Sequence, residues 1–332
     1  MRRRIPFHPL FLLSAAVLAL SGAIGCNRQD GVHRVGIIIG LPFFEDAMVG
    51  FEERMGELGY AGGSAIEYIY KTPYRDGEED QQAVQDLVDA EVDLIVAVPT
   101  EVSIVAKRMA NEHGIPVVFT NAVVEGTDLI ESIRAPGALI TGVRYPGPDL
   151  ALLRFERMQA IVPAARRVLV PYAESYPIAG PQLEVLRPAA AKAGITLIEM
   201  PLQDVDDLAG RLEALIADPD VRVDAILALA DPIVADPSGT TLLDRFARER
   251  HIPLCGILAS GGTNGIFDVM IQNADAGRRV ADIVDKILQG EPPLNIPVVS
   301  AETFFYIDLG AVDALGLTVP EGVLAQADRI TR

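Results

Sequence analysis

The chain has 332 residues, half of them hydrophobic, with no tryptophan and a formal net charge of −18. A surface this acidic repels phosphate backbones and excludes nucleic acid as a natural partner, while the length suits about two domains of ~150 residues each. With cysteines only at 26 and 255, a disulfide framework is excluded as well.

At the N-terminus, Arg2, Arg3 and Arg4 precede an uncharged run at 11–20. That run is too short to span a bilayer comfortably, which takes about 20 apolar residues. Small residues at 21–25 follow, then Cys26, which completes the pattern of a secretory leader. The stretch resembles a bacterial lipoprotein signal, in which the cysteine receives lipid and becomes the new N-terminus. Ala23 stands where that pattern usually has Leu. The competing reading is a buried N-terminal helix with an incidental cysteine. The expectation is a signal peptide at 1–25 and a polar tether at 26–33, with lipid on Cys26 as the membrane anchor. Its removal leaves 25 basic residues against 46 acidic ones, a net charge of −21.

Beyond the tether, short runs rich in Val and Ile predict strands at 35–40, 65–70, 94–98, 117–120, 168–171, 196–201, 225–229 and 254–257. Segments of helical period at 50–58, 80–90 and 103–112 lie between the early ones. Such alternation predicts βαβ units and parallel sheets covered on both faces. The chain also repeats itself: VDLIVAV at 92–98 returns as VDAILAL at 223–229, and IPV at 115–117 returns as IPL at 252–254. A spacing near 130 residues is far longer than a solenoid repeat of about 20–50 residues. It points to two similar Rossmann-like α/β lobes joined by a hinge.

Ligands of open α/β sheets bind beyond the carboxyl ends of the strands, so the residues there are the site candidates. Phe43 follows the first strand and serves equally as a cleft wall or a core residue. Thr100 opens a helix whose free N–H groups favour a carboxylate, with Ser103 one turn in; Thr100 as a plain helix cap is the other reading. Tyr172 and Tyr176 follow the first strand of the second half, and Tyr172 suits an aromatic wall. Asp231 before Pro232 reads either as an N-cap or as the partner of a ligand ammonium. Thr120, Asn121, Ser260 and Asn273 complete the rim, each with a turn role as its alternative. Cys255 reads as a buried strand thiol, and the glycine-rich 261–265 stretch as a turn.

The last stretch, DALGLTVPEGVLAQAD at 313–328, resembles the closing signature of ABC-transporter substrate-binding lipoproteins of the tryptophan- and tyrosine-uptake type. GFEE at 50–53, LGY at 58–60, IPVVF at 115–119, RAPGALITGV at 134–143, Ala230-Asp231-Pro232 and ADIVDKILQG at 281–290 follow that family in order. The chain departs from it at TNAVVEG (120–126), VPYAE (170–174) and LASGGTNG (258–265), all at strand ends. The resemblance implies a type I periplasmic-binding-protein architecture. Lobe 1 would comprise 34–143 and 272–295, and lobe 2 would comprise 144–271 and 296–332.

It further implies a monomeric, extracytoplasmic protein that captures a small carboxylate-bearing ligand, an amino acid or aromatic acid, by hinge closure. The protein would then deliver it to a permease and its ATPase. No cofactor is expected. A ligand-presenting sensor subunit would share every one of these features. A hydrolase would need an activated nucleophile or a metal cluster, whereas the sequence holds no P-loop, HExxH, CxxC or GxSxG motif. His8, His33, His113 and His251 are scattered without ligand spacing.

Overall fold

A computed structural model describes residues 31–60, 65–73, 77–137, 139–218, 221–258 and 264–332. The segment expected to be a signal peptide, Cys26 and Ser260 lie outside the described residues.

The chain begins with β1 (His33–Ile39), α1 (Glu45–Glu57), β2 (Ile66–Lys71), α2 (Gly77–Asp89), β3 (Leu94–Val98), α3 (Thr100–Glu112), β4 (Val117–Ala122) and β5 (Ile140–Arg144). There follow α4 (Gly147–Ile161), β6 (Arg167–Ala173), α5 (Ala179–Ala193), β7 (Thr196–Leu202), α6 (Val205–Ala217), β8 (Ala225–Leu227), α7 (Pro232–Ala235) and α8 (Pro237–Arg250). The last third adds β9 (Leu254–Cys255), β10 (Gly265–Ile271), α9 (Asn273–Leu288), β11 (Val299–Ser300), β12 (Thr303–Asp308), α10 (Leu309–Ala314), α11 (Glu321–Leu324) and β13 (Arg329–Thr331).

These strands form two sheets. The first has the order β11-β5-β4-β3-β1-β2 and the second β13-β12-β10-β9-β8-β6-β7. Neighbours run parallel throughout except β10 and β12, which pair antiparallel. An antiparallel strand near the edge of a parallel sheet is common in folds of this size. Every residue of β3 is buried, as expected of a central strand with helices on both faces. Of the strands read from sequence, 225–229 and 254–257 are shorter than expected, ending at Leu227 and Cys255. Cys255 is fully buried, and that burial pushes its thiol pKa up.

The chain passes between the sheets three times: from β5 to α4, from β10 to α9, and from β11 to β12. After the second crossing α9 packs against α1 and the ends of β4 and β5, on the first sheet. The largest apolar cluster takes one face of each sheet, including Val35, Ile37 and Val96 from the first and Val168, Val170 and Leu227 from the second. Smaller clusters cover the opposite faces, around Phe119 and Leu87 in the first sheet and Leu169 and Phe246 in the second. Among the described residues no helix is long and apolar enough to cross a membrane, and no group of His, Cys, Asp or Glu could hold a metal ion.

Candidate ligand-binding site

The carboxyl ends of the strands carry the polar residues. Beyond β1 the chain makes a short 3-10 turn at Pro42–Phe44, leaving Phe43 64% exposed and edge-on to Phe44. At the end of β4 the pairing with β5 slips between Thr120 and Ala122. Asn121 sits at that slip with φ of +53°, a left-handed conformation that asparagine tolerates better than most residues. Irregularities of this kind re-aim a side chain. Here the Asn121 amide turns outward to α9.

The result is a chain of hydrogen bonds joining three strand ends. Thr120 Oγ1 donates to Asn121 Oδ1 at 3.0 Å, and Asn121 Nδ2 donates to Asn273 Oδ1 at 2.6 Å. Asn273 Nδ2 then donates to the Phe43 carbonyl at 3.0 Å. Four sequence-derived candidates therefore meet in one network. Each amide nitrogen has two N–H groups, and among the described residues one of the two is engaged on Asn121 and one on Asn273.

Thr100 and Ser103 are also buried. Thr100 Oγ1 accepts the Val123 N–H at 3.0 Å, fastening the loop after β4 to the start of α3. Ser103 Oγ donates back to the Pro99 carbonyl at 2.5 Å. Asp231 caps α7: its Oδ1 accepts from Ile233 N and Val234 N, and its Oδ2 accepts from Ala173 N. Burial raises the Asp231 pKa although all three N–H groups pull it down. Tyr172 lies apart from these residues, half-buried against the main core beside the Arg187–Glu199 ion pair.

Three further residues complete the arrangement. Tyr176, in the loop after β6 of the second sheet, has its phenol pKa raised by burial first and by the charge of Glu101 second. Tyr145 and Asp231 act on it as well. Glu101 lies in the first turn of α3, on the first sheet, and burial raises its carboxyl pKa. Tyr145 stands at the crossing from β5 to α4, where burial raises its phenol against the pull of Arg154. Side chains from the carboxyl edges of both sheets thus share one electrostatic environment.

Sequence reasoning passed over Glu101 and Tyr145. An acid in a first helical turn reads as complement to the helix dipole. Tyr145 lies between Arg144 and Pro146, in a segment without periodicity. Its only signal was a position directly after a strand.

The fold is shared with proteins of known structure. A structure from Streptococcus pneumoniae, described as an ABC domain in complex with L-Trp, aligns with a TM-score of 0.75 at 21% identity, covering 90% of this chain and 100% of the other. A conserved domain protein from Vibrio cholerae aligns at 0.76 and 24% identity, covering 91% and 100%. An ABC transporter solute-binding protein from Bacillus halodurans, with bound myo-inositol, aligns at 0.66 and 16% identity, covering 90% and 98%. No functionally curated protein matches the chain. Two mostly parallel sheets with three crossings make this a type I periplasmic-binding-protein fold. The family model for the ABC transporter substrate binding protein matches residues 34–331, and the chain belongs to that family.

Proposed function

We propose that the protein is the extracytoplasmic solute-binding component of an ABC importer. It captures a small carboxylate-bearing ligand, an amino acid or aromatic acid, between two lobes formed by the two sheets and their helices. Lipid on Cys26 keeps it beside its permease. Family membership supports the coarse role, because substrate-binding proteins deliver small molecules to permease components. The observation that supports the location of the site is the hydrogen-bond network of Thr120, Asn121, Asn273 and the Phe43 carbonyl at the carboxyl edge of the first sheet, with the Tyr176 phenol after β6 raised by burial first and by the charge of Glu101 at that same edge second.

Support for a carboxylate comes from the donors at the same edge. The positive end of the 13-residue α3 opens there, and Asn121 and Asn273 each have one amide N–H beyond those engaged among the described residues. The bound L-Trp and myo-inositol of the neighbouring structures make L-tryptophan and a polyol the first compounds to try.

The test is a thermal-shift screen of residues 26–332 against amino acids, aromatic acids and sugars. A ligand at 100 times its Kd adds about 2.7 kcal/mol of stability. Asn121→Ala should weaken an acid or amino acid by about 10-fold or more, the value of a hydrogen bond to a charged group. Stabilisation by sugars alone would reject the carboxylate. For the anchor, Cys26→Ser should move the protein from membrane to soluble fractions or stall its processing, and unchanged membrane retention would reject lipidation.

A further inference from the structure

Two of the three crossings between the sheets meet at one side chain. Arg144 ends β5 and Ser300 ends β11, where the chain leaves the first sheet for the second. The two are register partners, and the Ala301 N–H donates to the Arg144 carbonyl at 3.0 Å. From that position the Arg144 guanidinium reaches three ways. Nε donates to Ser300 Oγ at 2.7 Å, Nη2 donates to Asp149 Oδ2 at 2.6 Å, and Nη1 donates to Glu125 Oε1. Glu125 lies in the loop after β4, on the first sheet. Asp149 lies in the first turn of α4, which packs on α5 and on β10 of the second sheet. A planar guanidinium with five N–H donors can serve three such acceptors at once.

The two acids do not weigh equally. Asp149 is 57% exposed, and an ion pair that open is worth little by itself. Glu125 is 33% exposed, and its Oε2 is buried without a hydrogen-bond partner among the described residues. A carboxylate placed that way depends on the cation it has, so Arg144 seats the loop. The seated loop then touches the other half of the molecule. Its next residue, Gly126, has φ of +73° and lies against Pro181 in the first turn of α5. A Cβ there would stand 3.0 Å from the proline Cγ. At the start of the same loop, the Val123 N–H donates to Thr100 Oγ1 at 3.0 Å, which pins it to α3.

We propose that Arg144 is the clamp that sets how far the two lobes stand apart. By holding Glu125 it keeps Gly126 against Pro181. By holding Asp149 it fastens the start of α4 to the same point, so the lobes stay drawn together at their carboxyl edges. The proposal rests on the two-lobe cleft reading above and adds the residue that governs its closure. Arg144 is a positioning residue, acting through Glu125 and Asp149.

The test reads lobe separation directly and needs no ligand. Val49 on α1 and Glu184 on α5 are exposed, each on the helix that follows the first strand of its half. Val49→Cys and Glu184→Cys in a Cys26→Ser background take spin labels, while the buried Cys255 stays unlabelled. Pulsed electron–electron resonance then gives the distribution of distances between the labels. With Arg144 intact, the separation found in the structure should dominate. Arg144→Met should raise a longer component by about 10-fold or more, as expected for losing a hydrogen bond between charged groups. Asp149→Asn cuts only the exposed arm and should raise it by about 2- to 5-fold. Arg211→Met, which breaks the Arg211–Asp207 pair within α6, should change nothing.

A distribution that lacks the structure's separation while Arg144 is intact, or that Arg144→Met leaves unchanged, overturns the clamp. A lower melting point with unchanged distances does so too, since it marks an arginine that only supports the fold. If Arg144→Met fails to fold, Asp149→Asn decides, and unchanged distances in it overturn the clamp in either case. These results stand apart from the compound screen, where failure of every ligand rejects the carboxylate reading and leaves the clamp to be judged on distances.

Discussion

Asp231 and Glu101 are both partly desolvated carboxylates, and the structure gives them opposite work. Asp231 holds together the start of α7 and the end of β6 through three accepted N–H bonds. Asp231→Ala would orphan those donors in a buried site and should cost about 2–3 kcal/mol, a lost cap plus an unsatisfied amide. Asp231→Asn keeps one accepting oxygen and should fall between that value and wild type in chemical denaturation. Glu101 supports no such scaffold. Its carboxyl pKa is raised in the folded protein, so between the unfolded value and that raised value the native state holds more protons than the unfolded chain. Stability from this group therefore falls as pH climbs through that interval and is level above it. Glu101→Gln should melt higher than wild type near pH 7 without ligand, and the difference should shrink as pH falls towards about 4.3, the ordinary glutamate value, and be gone below it. A melting point below wild type at neutral pH would show that Glu101 is structural after all. Strand ends are legible in the sequence because an apolar run stops there, which is how Phe43, Thr100, Asn121 and Asn273 come to notice. Which of them turn toward one another depends on the slip at Asn121 and on where α9 lands, and neither follows from local pattern.

At the scale of elements, the contact of α1 with α9 ties the last third of the chain back to the first sheet. Two glycines make it close. A Cβ on Gly50 would lie 2.0 Å from the Ala274 carbonyl oxygen, and one on Gly277 would lie 1.7 Å from that of Ala47. Both obstacles are backbone, so the helices would have to separate. Gly277→Ala should cost about 3 kcal/mol, the upper end for overpacking, despite the better helix propensity of alanine. Across the other sheet, Arg154 on α4 pairs with Asp268 on β10 at 3.0 Å, both nearly buried. Arg154→Met leaves the Asp268 carboxylate uncompensated and should cost about 3–5 kcal/mol, whereas the double variant Arg154→Met, Asp268→Asn should recover much of it. A double variant no more stable than Arg154→Met alone would mean that packing, not charge, is at stake. The same pair explains an omission in the sequence reading. The strand β10 reads GIFDVMI, and its central acid breaks the apolar run that marks a buried strand. The short strands β11 and β13, with two and three residues, leave no periodicity to detect. By contrast the first eight strands read from sequence are Val- and Ile-rich runs between helical stretches, where a buried parallel sheet leaves its clearest mark.

For the whole molecule the dominant property is charge, −18 for the full chain and −21 once residues 1–25 are removed. A field of that sign says nothing about fold, yet it acts on every ligand that approaches. With Glu101 and Asp231 at the carboxyl edges where the cleft is proposed, the local field and the overall field have the same sign. A cationic amine is therefore drawn in, whereas a zwitterionic amino acid, having no net charge, is not steered to first order. The chain has no tryptophan, so the fluorescence of an indole ligand can be followed with little protein background in stopped flow. Raising salt from about 10 mM to about 1 M shrinks the screening length from about 30 Å to about 3 Å. Over that range the association rate of tryptamine should fall by about 10-fold or more, while that of L-tryptophan changes little. The dissociation rates should respond less, since short-range contacts inside a closed site are screened less than an approach through solvent. Parallel salt slopes for tryptamine and L-tryptophan would mean that the acidic surface does not steer ligands to the cleft.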